Sequence, residues 1–377
     1  MDDVSLGNRI AQKVLEGYRK LGSSCKPGTR SNGVKEWTVL AGIVAIDKKN
    51  SDLRLISIAT GVKALPDAFL HRSGGKMVHD CHAEILALRA FNAVILDQIA
   101  YLNSNSDNQI DLVERASEDQ LFHFKDNWEL AIYISTLPCG DASMDLLCQD
   151  ESIIEMQDDD PIQFVDPAVT SIVRGRFNYS RRQVVRTKPG RFDSQITLCK
   201  SCSDKLCQRQ VISILNCMTW KLLNKPVYLK YLVTPNTTDL LHQSFYDRIK
   251  VLPNVPLKVL QCSYQFEHDK HSSEEEPSAM SSIKLYSTPE STVEQALLNG
   301  LKNGFYTKGN KPLRRNCEPA VSRYAQWQLF KTLRPEFTNA TYLQFKATIQ
   351  DRNALIQDCR KLLSPKGWIS TSRDDCE

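Results

Sequence analysis

The sequence predicts an α/β protein in which one central sheet lies between two layers of helices. Residues 38–46 and 53–59 are apolar runs of strand length joined by a polar turn. The first run is nearly continuous in apolar residues, as a buried central strand requires. An Ala/Leu-rich segment over 82–100 has the composition of a helix, and the apolar run 129–137 leads into a second helix start. Because strands alternate with helices along the chain, helices are expected on both faces of the sheet.

The other elements follow from helical spacing, turn residues and charge. Residues 5–22 space their apolar side chains as one face of a helix does, and Gly22 is a helix stop signal. The polar run 268–277 predicts a disordered loop, while 301–315 is basic and glycine-rich. Helices are also predicted over 110–124, 206–223 and 320–333 and from Tyr342 onward, and strands over 228–233 and 257–264.

Composition limits the class of protein. A chain of 377 residues with 41% hydrophobic content can bury a sizeable core, and we expect one domain over 1–377. The net charge of +4 is modest, so a nucleic-acid surface has to be a local patch. Twelve cysteines without a secretory pattern indicate a reducing compartment, nucleus or cytoplasm, and not a secreted protein. No apolar run approaches the roughly 20 residues of a membrane span, and no obligatory protein partner is indicated.

The chemistry is expected where the helix over 82–100 begins, because His82 and Glu84 stand there two residues apart. Both side chains can project from the first helical turn, a position suited to a metal ligand and a proton-transfer group. In zinc-dependent nucleobase deaminases, an H-x-E motif is followed by Pro-Cys; the His binds the metal and the Glu moves protons. Pro138 and Cys139 follow an apolar strand here, which favours a metal site over the alternative of a solvated helix start.

The third ligand does not come from the same loop as Cys139. Many zinc deaminases have a second cysteine in Pro-Cys-x-x-Cys, but this chain has Ala142 at that position. Cys199 and Cys202 offer the missing thiolate, and spacing alone does not decide between them. A C-x-x-C pair is also typical of redox and structural zinc sites, although the second pair that a four-thiolate site needs is absent from the sequence.

A basic segment over 174–191 comes just before this cysteine pair and predicts a contact with RNA. It has seven basic residues, no acidic residue and two aromatic side chains, Phe177 and Tyr179, that could stack on bases. A solvated charged face is the alternative interpretation. The basic residues expected to contact RNA here are Arg174, Arg176, Arg181, Arg182, Arg186, Lys188 and Arg191.

Several short blocks stand in one order along most of the chain: 39–44 (VLAGIV), 59–63 (ATGVK), 80–84 (DCHAE), 133–136 (YIST), 138–142 (PCGDA), 186–191 (RTKPGR) and 201–205 (SCSDK). Together they resemble the RNA adenosine deaminases, which include the editing enzymes of double-stranded RNA and enzymes that act on tRNA. The resemblance implies a cytidine-deaminase-like α/β/α core with a mixed central sheet over about 38–235, and a helical C-terminal extension over about 236–377. It also implies deamination of adenosine to inosine, with position 37 of alanine tRNA as the expected substrate.

The same resemblance implies the residues of the site. His82, Cys139 and Cys202 are the expected Zn2+ ligands, which leaves Cys199 as a bystander, and Glu84 is the expected proton shuttle. The turn that contains Lys63 is expected beside the substrate ribose, so Lys63 joins the predicted RNA contacts.

A buried inositol hexakisphosphate is expected too, because the resembled enzymes enclose this polyanion among basic and aromatic side chains. The chain departs from a close editing enzyme, since Leu88 and Gln208 stand where that enzyme has arginines and Arg209 replaces a tryptophan. Solvent exposure or pairing with acidic side chains is the alternative. The expected contacts are Arg89, Lys205, Arg323, Tyr342, Lys346, Lys361 and Trp368.

Two other functions compete with this interpretation. One is deamination of free nucleosides or of cytosine, but a free nucleoside needs neither the basic segment nor the long C-terminal half of the chain. The other is a zinc-stabilised RNA-binding protein without turnover, and the presence of both His82 and Glu84 argues against it.

Overall fold

A computed structural model of the chain describes residues 2–104, 110–116, 121–145, 162–188, 195, 197–288, 291–309 and 311–377. Its strands are β1 (Glu36–Trp37), β2 (Leu40–Asp47), β3 (Leu53–Thr60), β4 (Val62–Ala64), β5 (Asp80–His82), β6 (Val113–Arg115), β7 (Phe122–Phe124), β8 (Trp128–Ile134), β9 (Ile172–Arg174), β10 (Val185–Thr187), β11 (Tyr231–Thr234), β12 (Lys258–Gln261), β13 (Glu276–Pro277), β14 (Met280–Tyr286), β15 (Thr292–Leu298) and β16 (Leu301–Lys302). Its α-helices are α1 (Asp3–Arg19), α2 (Ala83–Ser104), α3 (Cys202–Ile212), α4 (Cys217–Leu222), α5 (Leu240–His242), α6 (Arg323–Leu333), α7 (Tyr342–Ala347) and α8 (Gln350–Leu363).

The predicted layered fold with a mixed central sheet is confirmed. In the described residues one sheet has eight strands in the order β12, β11, β8, β2, β3, β14, β15, β16. β8, β11 and β12 are parallel to one another, whereas the remaining neighbours are antiparallel. Successive side chains of β2 point to opposite faces, so that Ile43 packs in the core beneath α2 and Val44 in the core beneath α1.

Helix α1 covers one face of the sheet and helix α2 covers the other. Asp2 caps α1 by accepting a hydrogen bond from the Ser5 amide, and Gly17 lets this helix approach the sheet, since a Cβ there would lie 2.4 Å from Ile58 Cδ1. Helix α2 is apolar on all sides, and its length and hydropathy would also suit a membrane span. In its most apolar stretch of 18 residues, 72% of the residues are buried inside the protein, as expected for a helix in the core.

The predicted helix over 110–124 is wrong. Its described parts form the antiparallel hairpin of β6 and β7, because Val113 and Phe122 bury their side chains in the core that contains α2, and tertiary burial overrides a local helical pattern. The predicted helix over 206–223 is divided into α3 and α4. Ser213 has a φ of 101° and its hydroxyl donates to the Val227 carbonyl at 2.6 Å, which ends α3 before Asn216 caps α4.

The loop predicted to be disordered over 268–277 is instead packed against the N-terminal part of the chain. The Tyr18 hydroxyl lies 2.9 Å from His268 Nδ1, and the Thr38 amide donates to the His268 carbonyl at 2.9 Å. The end of this segment is β13, which pairs with β1. The hairpin of β14 and β15, which extends the sheet beyond β3, was not predicted from the sequence. The proposed division near residue 235 stays a prediction.

Candidate metal centre and active site

Three separate stretches bring the side chains of the site together at one end of the central sheet. β5 ends at His82, and α2 begins at the next residue. Cys139 lies in the turn after β8, and Cys202 is the first residue of α3. Gly140 has a φ of 101°, and a Cβ there would lie 2.2 Å from Ser201 Oγ. The glycine therefore allows the two cysteine-bearing segments to meet.

The structure brings the predicted ligands His82, Cys139 and Cys202 together. One ligand atom of each lies within 4.8 Å of the others. Among the residues that the structure describes, these three form the group of side chains that could hold a metal ion. His82 Nδ1 is 3.8 Å from Cys139 Sγ. Cys202 is fully buried, while the other two are half-buried. One imidazole nitrogen and two sulfurs suit a tetrahedral Zn2+ that keeps a fourth position for water.

The surroundings of Cys139 favour its thiolate, which is the form that binds metals. A hydrogen bond from Cys202, together with the nearby charges of Lys188 and His82, holds the pKa of the Cys139 thiol well below its usual range. The Cys202 backbone amide also points at Cys139 Sγ, at 3.4 Å. These donors all stabilise negative charge at the sulfur.

Glu84 lies in the first turn of α2 and is only 3% exposed. Its Oε2 atom is buried and has no hydrogen-bond partner among the residues that the structure describes. A buried carboxylate oxygen without a donor is costly unless a bound group satisfies it. The carboxylate is therefore placed to exchange a proton with a bound water or substrate.

A buried ion cluster supports the metal ligands from behind. Lys188 Nζ lies 2.8 Å from both carboxylate oxygens of Asp80 and 2.9 Å from Cys202 Sγ. Lys205 bonds to the same carboxylate and donates to Cys199 Sγ at 2.9 Å. Burial would raise the pKa of Asp80, but Lys188 and Lys205 outweigh it and hold that pKa well below the usual value. The cluster fixes β5 against the start of α3.

The structure corrects two of the predicted RNA contacts, because Arg186 and Lys188 are buried. Arg186 is 0% exposed and Lys188 is 2% exposed, and Lys188 belongs to the cluster around Asp80. The Arg186 guanidinium donates to backbone carbonyls of the basic segment itself, those of Gly175 (3.2 Å), Phe177 (2.7 Å), Asn178 (2.9 Å) and Arg181 (2.8 Å). Positive charge in the sequence did not distinguish a side chain that folds the loop from one that meets solvent.

The other predicted RNA contacts lie nearer the surface or outside the described residues. Lys63, Arg176 and Arg181 are exposed. Arg174 and Arg182 are half-buried. Arg182 pairs with Asp145 at 2.9 Å, and Arg174 lies over the Phe177 ring at 5.4 Å. Arg191 lies outside the described residues.

A second cluster of charged side chains includes Arg89 on α2 and basic residues from the C-terminal part of the chain. Arg323 lies over the Tyr342 ring at 4.8 Å, and both are close enough to Arg89 to act on its charge. Burial lowers the pKa of Lys346, and the nearby positive charge of Arg323 lowers it further. Asp374, at 3.1 Å from Arg323, is the carboxylate that pairs with this cluster in the described part of the chain. The described residues of this cluster therefore include more basic than acidic side chains.

The contacts expected from the sequence did not include several members of this cluster. Arg209 and Arg352 both donate to the Leu215 carbonyl at 3.2 Å, and burial, together with Arg352, lowers the pKa of Arg209 to about 10. Arg360 and Lys200 both lie near the Trp368 ring, 5.1 Å and 5.2 Å from its centroid. No local motif marks these residues, since they come from distant parts of the chain.

Two residues predicted for the same cluster have other positions. Lys361 is exposed, because it follows Arg360 on α8 and consecutive helical residues point in different directions. Lys205 is bound to Asp80 and Cys199, so its charge is already compensated.

A layered sheet with histidine and glutamate at one helix start and two thiols from later segments defines a deaminase of the nucleobase class. The family model of the adenosine-deaminase (editase) domain matches residues 57–362, and the chain belongs to that family and is an enzyme. It is 50% identical over 98% of its length, and 94% of the relative, to tRNA-specific adenosine deaminase 1 of Saccharomyces cerevisiae.

More distant relatives extend the comparison. The chain is 31% identical to tRNA-specific adenosine deaminase 1 of Schizosaccharomyces pombe, over 97% of this chain and 95% of the relative. It is 24% identical to the double-stranded RNA-specific editase Adar of Drosophila melanogaster, over 52% of this chain and 29% of the relative. The likeness to the two yeast tRNA-specific enzymes therefore covers nearly the whole chain, whereas the likeness to that editase covers about half of it.

Replacing Arg186 by Ala should lower the free energy of unfolding by about 3 kcal/mol or more, because several buried carbonyl oxygens would lose their donors. Urea denaturation measures this change. Replacing the exposed Arg181 by Ala is the matched control and should change stability by less than about 0.5 kcal/mol. Arg181 is a predicted RNA contact. An Arg186→Ala variant that is as stable as the wild type, and loses as much RNA binding as Arg181→Ala, would contradict the structural role of Arg186.

Proposed function

We propose that the protein is a zinc-dependent enzyme that hydrolyses adenosine to inosine and ammonia in tRNA. The observation that carries this proposal is the group of His82, Cys139 and Cys202 beside the buried, unpartnered carboxylate oxygen of Glu84. Two relatives that align with nearly the whole chain bear the name tRNA-specific adenosine deaminase 1, which supports tRNA as the substrate.

The residues present divide the reaction between them. His82, Cys139 and Cys202 would hold the metal. When bound, Zn2+ supplies Lewis-acid activation of water, so that the nucleophile is available near neutral pH. The Glu84 carboxylate takes a proton from the attacking water and delivers protons to purine N1 and to the amine that leaves C6. Burial of Glu84 keeps this proton exchange away from bulk solvent.

Within tRNA, the nucleoside that reacts is adenosine 37 of alanine tRNA, next to the anticodon. A base in a single-stranded loop costs less to present to a pocket than a base stacked in a duplex. The exposed basic side chains of Lys63, Arg176 and Arg181 would meet the phosphates around that base.

Incubation of alanine tRNA with the protein should convert one adenosine to inosine, as detected by mass spectrometry of the released nucleosides. Glu84→Gln should retain about one zinc per chain but lower inosine formation about 100-fold or more, since a general acid and base is lost. Loss of zinc in step with activity would make Glu84 a ligand or a structural residue. Zinc-loaded wild-type protein that binds tRNA and forms no inosine would favour an RNA-binding protein without turnover.

Cys202 rather than Cys199 should complete the metal site. Cys202 Sγ belongs to the group of three ligand atoms, while Cys199 Sγ is held by Lys205 at 2.9 Å and lies 3.3 Å from Asp80. Cys202→Ala should lose both zinc, measured by elemental analysis, and activity. Cys199→Ala is the control and should keep both; the opposite pattern would refute the assignment.

We also propose that the second cluster binds inositol hexakisphosphate. Buried cations without counter-charges are unstable, so an excess of them implies a bound polyanion. Arg352 is 6% exposed, and Arg352 Nε, Arg360 Nε and Trp327 Nε1 are buried donors without a partner among the described residues. Such donors suit the phosphate oxygens of a compact polyanion.

Acid denaturation of the purified protein should release about one inositol phosphate per chain, measured by chromatography of the soluble extract. Arg352→Met and Arg209→Met should lower that content or prevent accumulation of folded protein, because each removes a buried donor. Lys361→Gln is the matched control, since Lys361 is exposed, and should leave the content unchanged. Folded, zinc-loaded protein without any releasable polyanion would exclude this proposal.

A further inference from the structure

Residues 65–77 and 301–317, apart from residue 310, pack around an apolar cluster of their own, and we call this part of the protein the basic lobe. Its interior is apolar, with Leu65, Met77, Leu301 and Cys317 buried and four partly buried hydrophobic residues packed on them. The lobe is thus a folded unit and not a loose loop. From this unit we infer a second RNA-binding surface, which rests on the proposed function.

One arginine shapes the lobe. Arg72 donates to the carbonyl oxygens of Gly309 (2.5 Å), Thr307 (2.9 Å) and Lys311 (3.0 Å). Its guanidinium also lies 5.7 Å from the centroid of the Tyr306 ring. A guanidinium that gathers several carbonyl oxygens fixes the course of a polar loop. The loop is therefore held in one shape by the two terminal nitrogens of the Arg72 guanidinium.

Four of the remaining cations of the lobe are exposed and form no ion pair among the residues that the structure describes. Residues 301–315 contain five basic residues and no acidic one. Lys308, Lys311, Arg314 and Arg315 are exposed, and none of them forms an ion pair with a carboxylate within 4.0 Å in the part of the chain that the structure describes. Like charges held together at a surface attract a polyanion.

The lobe is joined to the segment that leads into β5, the strand that ends at the metal ligand His82. The Val78 amide donates to the Gly300 carbonyl at 2.9 Å. Gly300 has a φ of 74°, and a Cβ there would lie 2.3 Å from the Val78 carbonyl oxygen. Val78 precedes His82 by four residues, a distance of at most about 13 Å along an extended chain. Phosphates a few nucleotides from the reacting base would lie within reach of the lobe.

The chemistry favours RNA backbone over base recognition. The exposed groups are flexible Lys and Arg side chains, which contact phosphates, whereas the aromatic Phe305 and Tyr306 are partly buried in the lobe. We therefore propose that Lys308, Lys311, Arg314 and Arg315 bind phosphates of the tRNA on the His82 side of the metal site. Contacts of this kind position the substrate without reading its sequence.

The test replaces these four residues by Gln and measures tRNA binding at several salt concentrations, with Glu84→Gln in the background to prevent turnover. The slope of log affinity against log salt should become shallower by up to about 3 units, since each phosphate that is no longer neutralised accounts for about 0.7. The control removes four charges near the opposite end of β8, with Lys48, Lys49, Lys221 and Lys225 replaced by Gln, and should leave the slope unchanged. Thermal denaturation checks that both variants are folded.

A slope and affinity unchanged by the lobe substitutions, but an active wild-type enzyme, would overturn the inference and leave the proposed function standing. Lobe-dependent tRNA binding by a wild-type protein that forms no inosine would support the inference and overturn the proposed function. Arg72→Lys adds a second arm: it keeps the charge but replaces the spread donors of the guanidinium by a single nitrogen, so the loop loses its fixed shape and binding should weaken although the exposed cations remain. Equal weakening by the control variant would make the effect one of net charge and overturn the assignment to the lobe.

Discussion

The catalytic centre depends on one buried carboxylate, that of Asp80, being neutralised from two directions. Asp80 is 6% exposed, and the ammonium groups of Lys188 and Lys205 both bond to it. Removing one partner of such a cluster would leave a buried charge uncompensated, which typically costs about 3 to 5 kcal/mol. Asp80 lies two residues before His82, and Lys205 three residues after Cys202. The relative positions of two metal ligands are therefore set by an ion cluster that also contacts them, since the His82 amide donates to Asp80 at 3.2 Å and Lys188 Nζ lies 2.9 Å from Cys202 Sγ.

Two arginines of the second charged cluster lie on α2 and α3, the helices that begin at the metal site. Arg89 follows His82 by seven residues along α2, and Arg209 follows Cys202 by seven along α3. Seven residues are about two turns, or about 10 Å. A polyanion bound between these arginines would draw the two helices together at one end, while the metal ligands do so at the other. Repulsion between the two arginines, which adds to burial in lowering the pKa of Arg209, would otherwise oppose this arrangement.

The sequence predicted the parts of the site that are local and missed those that are not. His82 and Glu84 share one helical turn, and Cys139 follows a strand, so each stands in a recognisable pattern. Cys202 could be chosen over Cys199 only by resemblance, because the preference comes from Lys205 and Asp80 on different elements.

The errors have a common physical cause, which is that burial is decided by the whole fold. Arg186 and Lys188 belong to a basic run, yet one organises a loop and the other neutralises Asp80. Arg352 and Arg360 join the second cluster from the far end of the chain, without any local signal. The hairpin of β6 and β7 likewise forms where a helical pattern was expected, because its apolar side chains meet α2.

Two groups of exposed cations are joined to the centre from different sides. The basic lobe is joined to the His82 side through the bond between Val78 and Gly300. The exposed Arg176 and Arg181 belong to the segment of β9 and β10, which is joined to the Cys202 side by the bridge between Thr187 and Lys200. A nucleotide drawn out of an RNA loop has phosphates on both sides of its base. Contacts on both flanks would hold the backbone on either side of the extruded base, so that the base itself is free to approach Glu84.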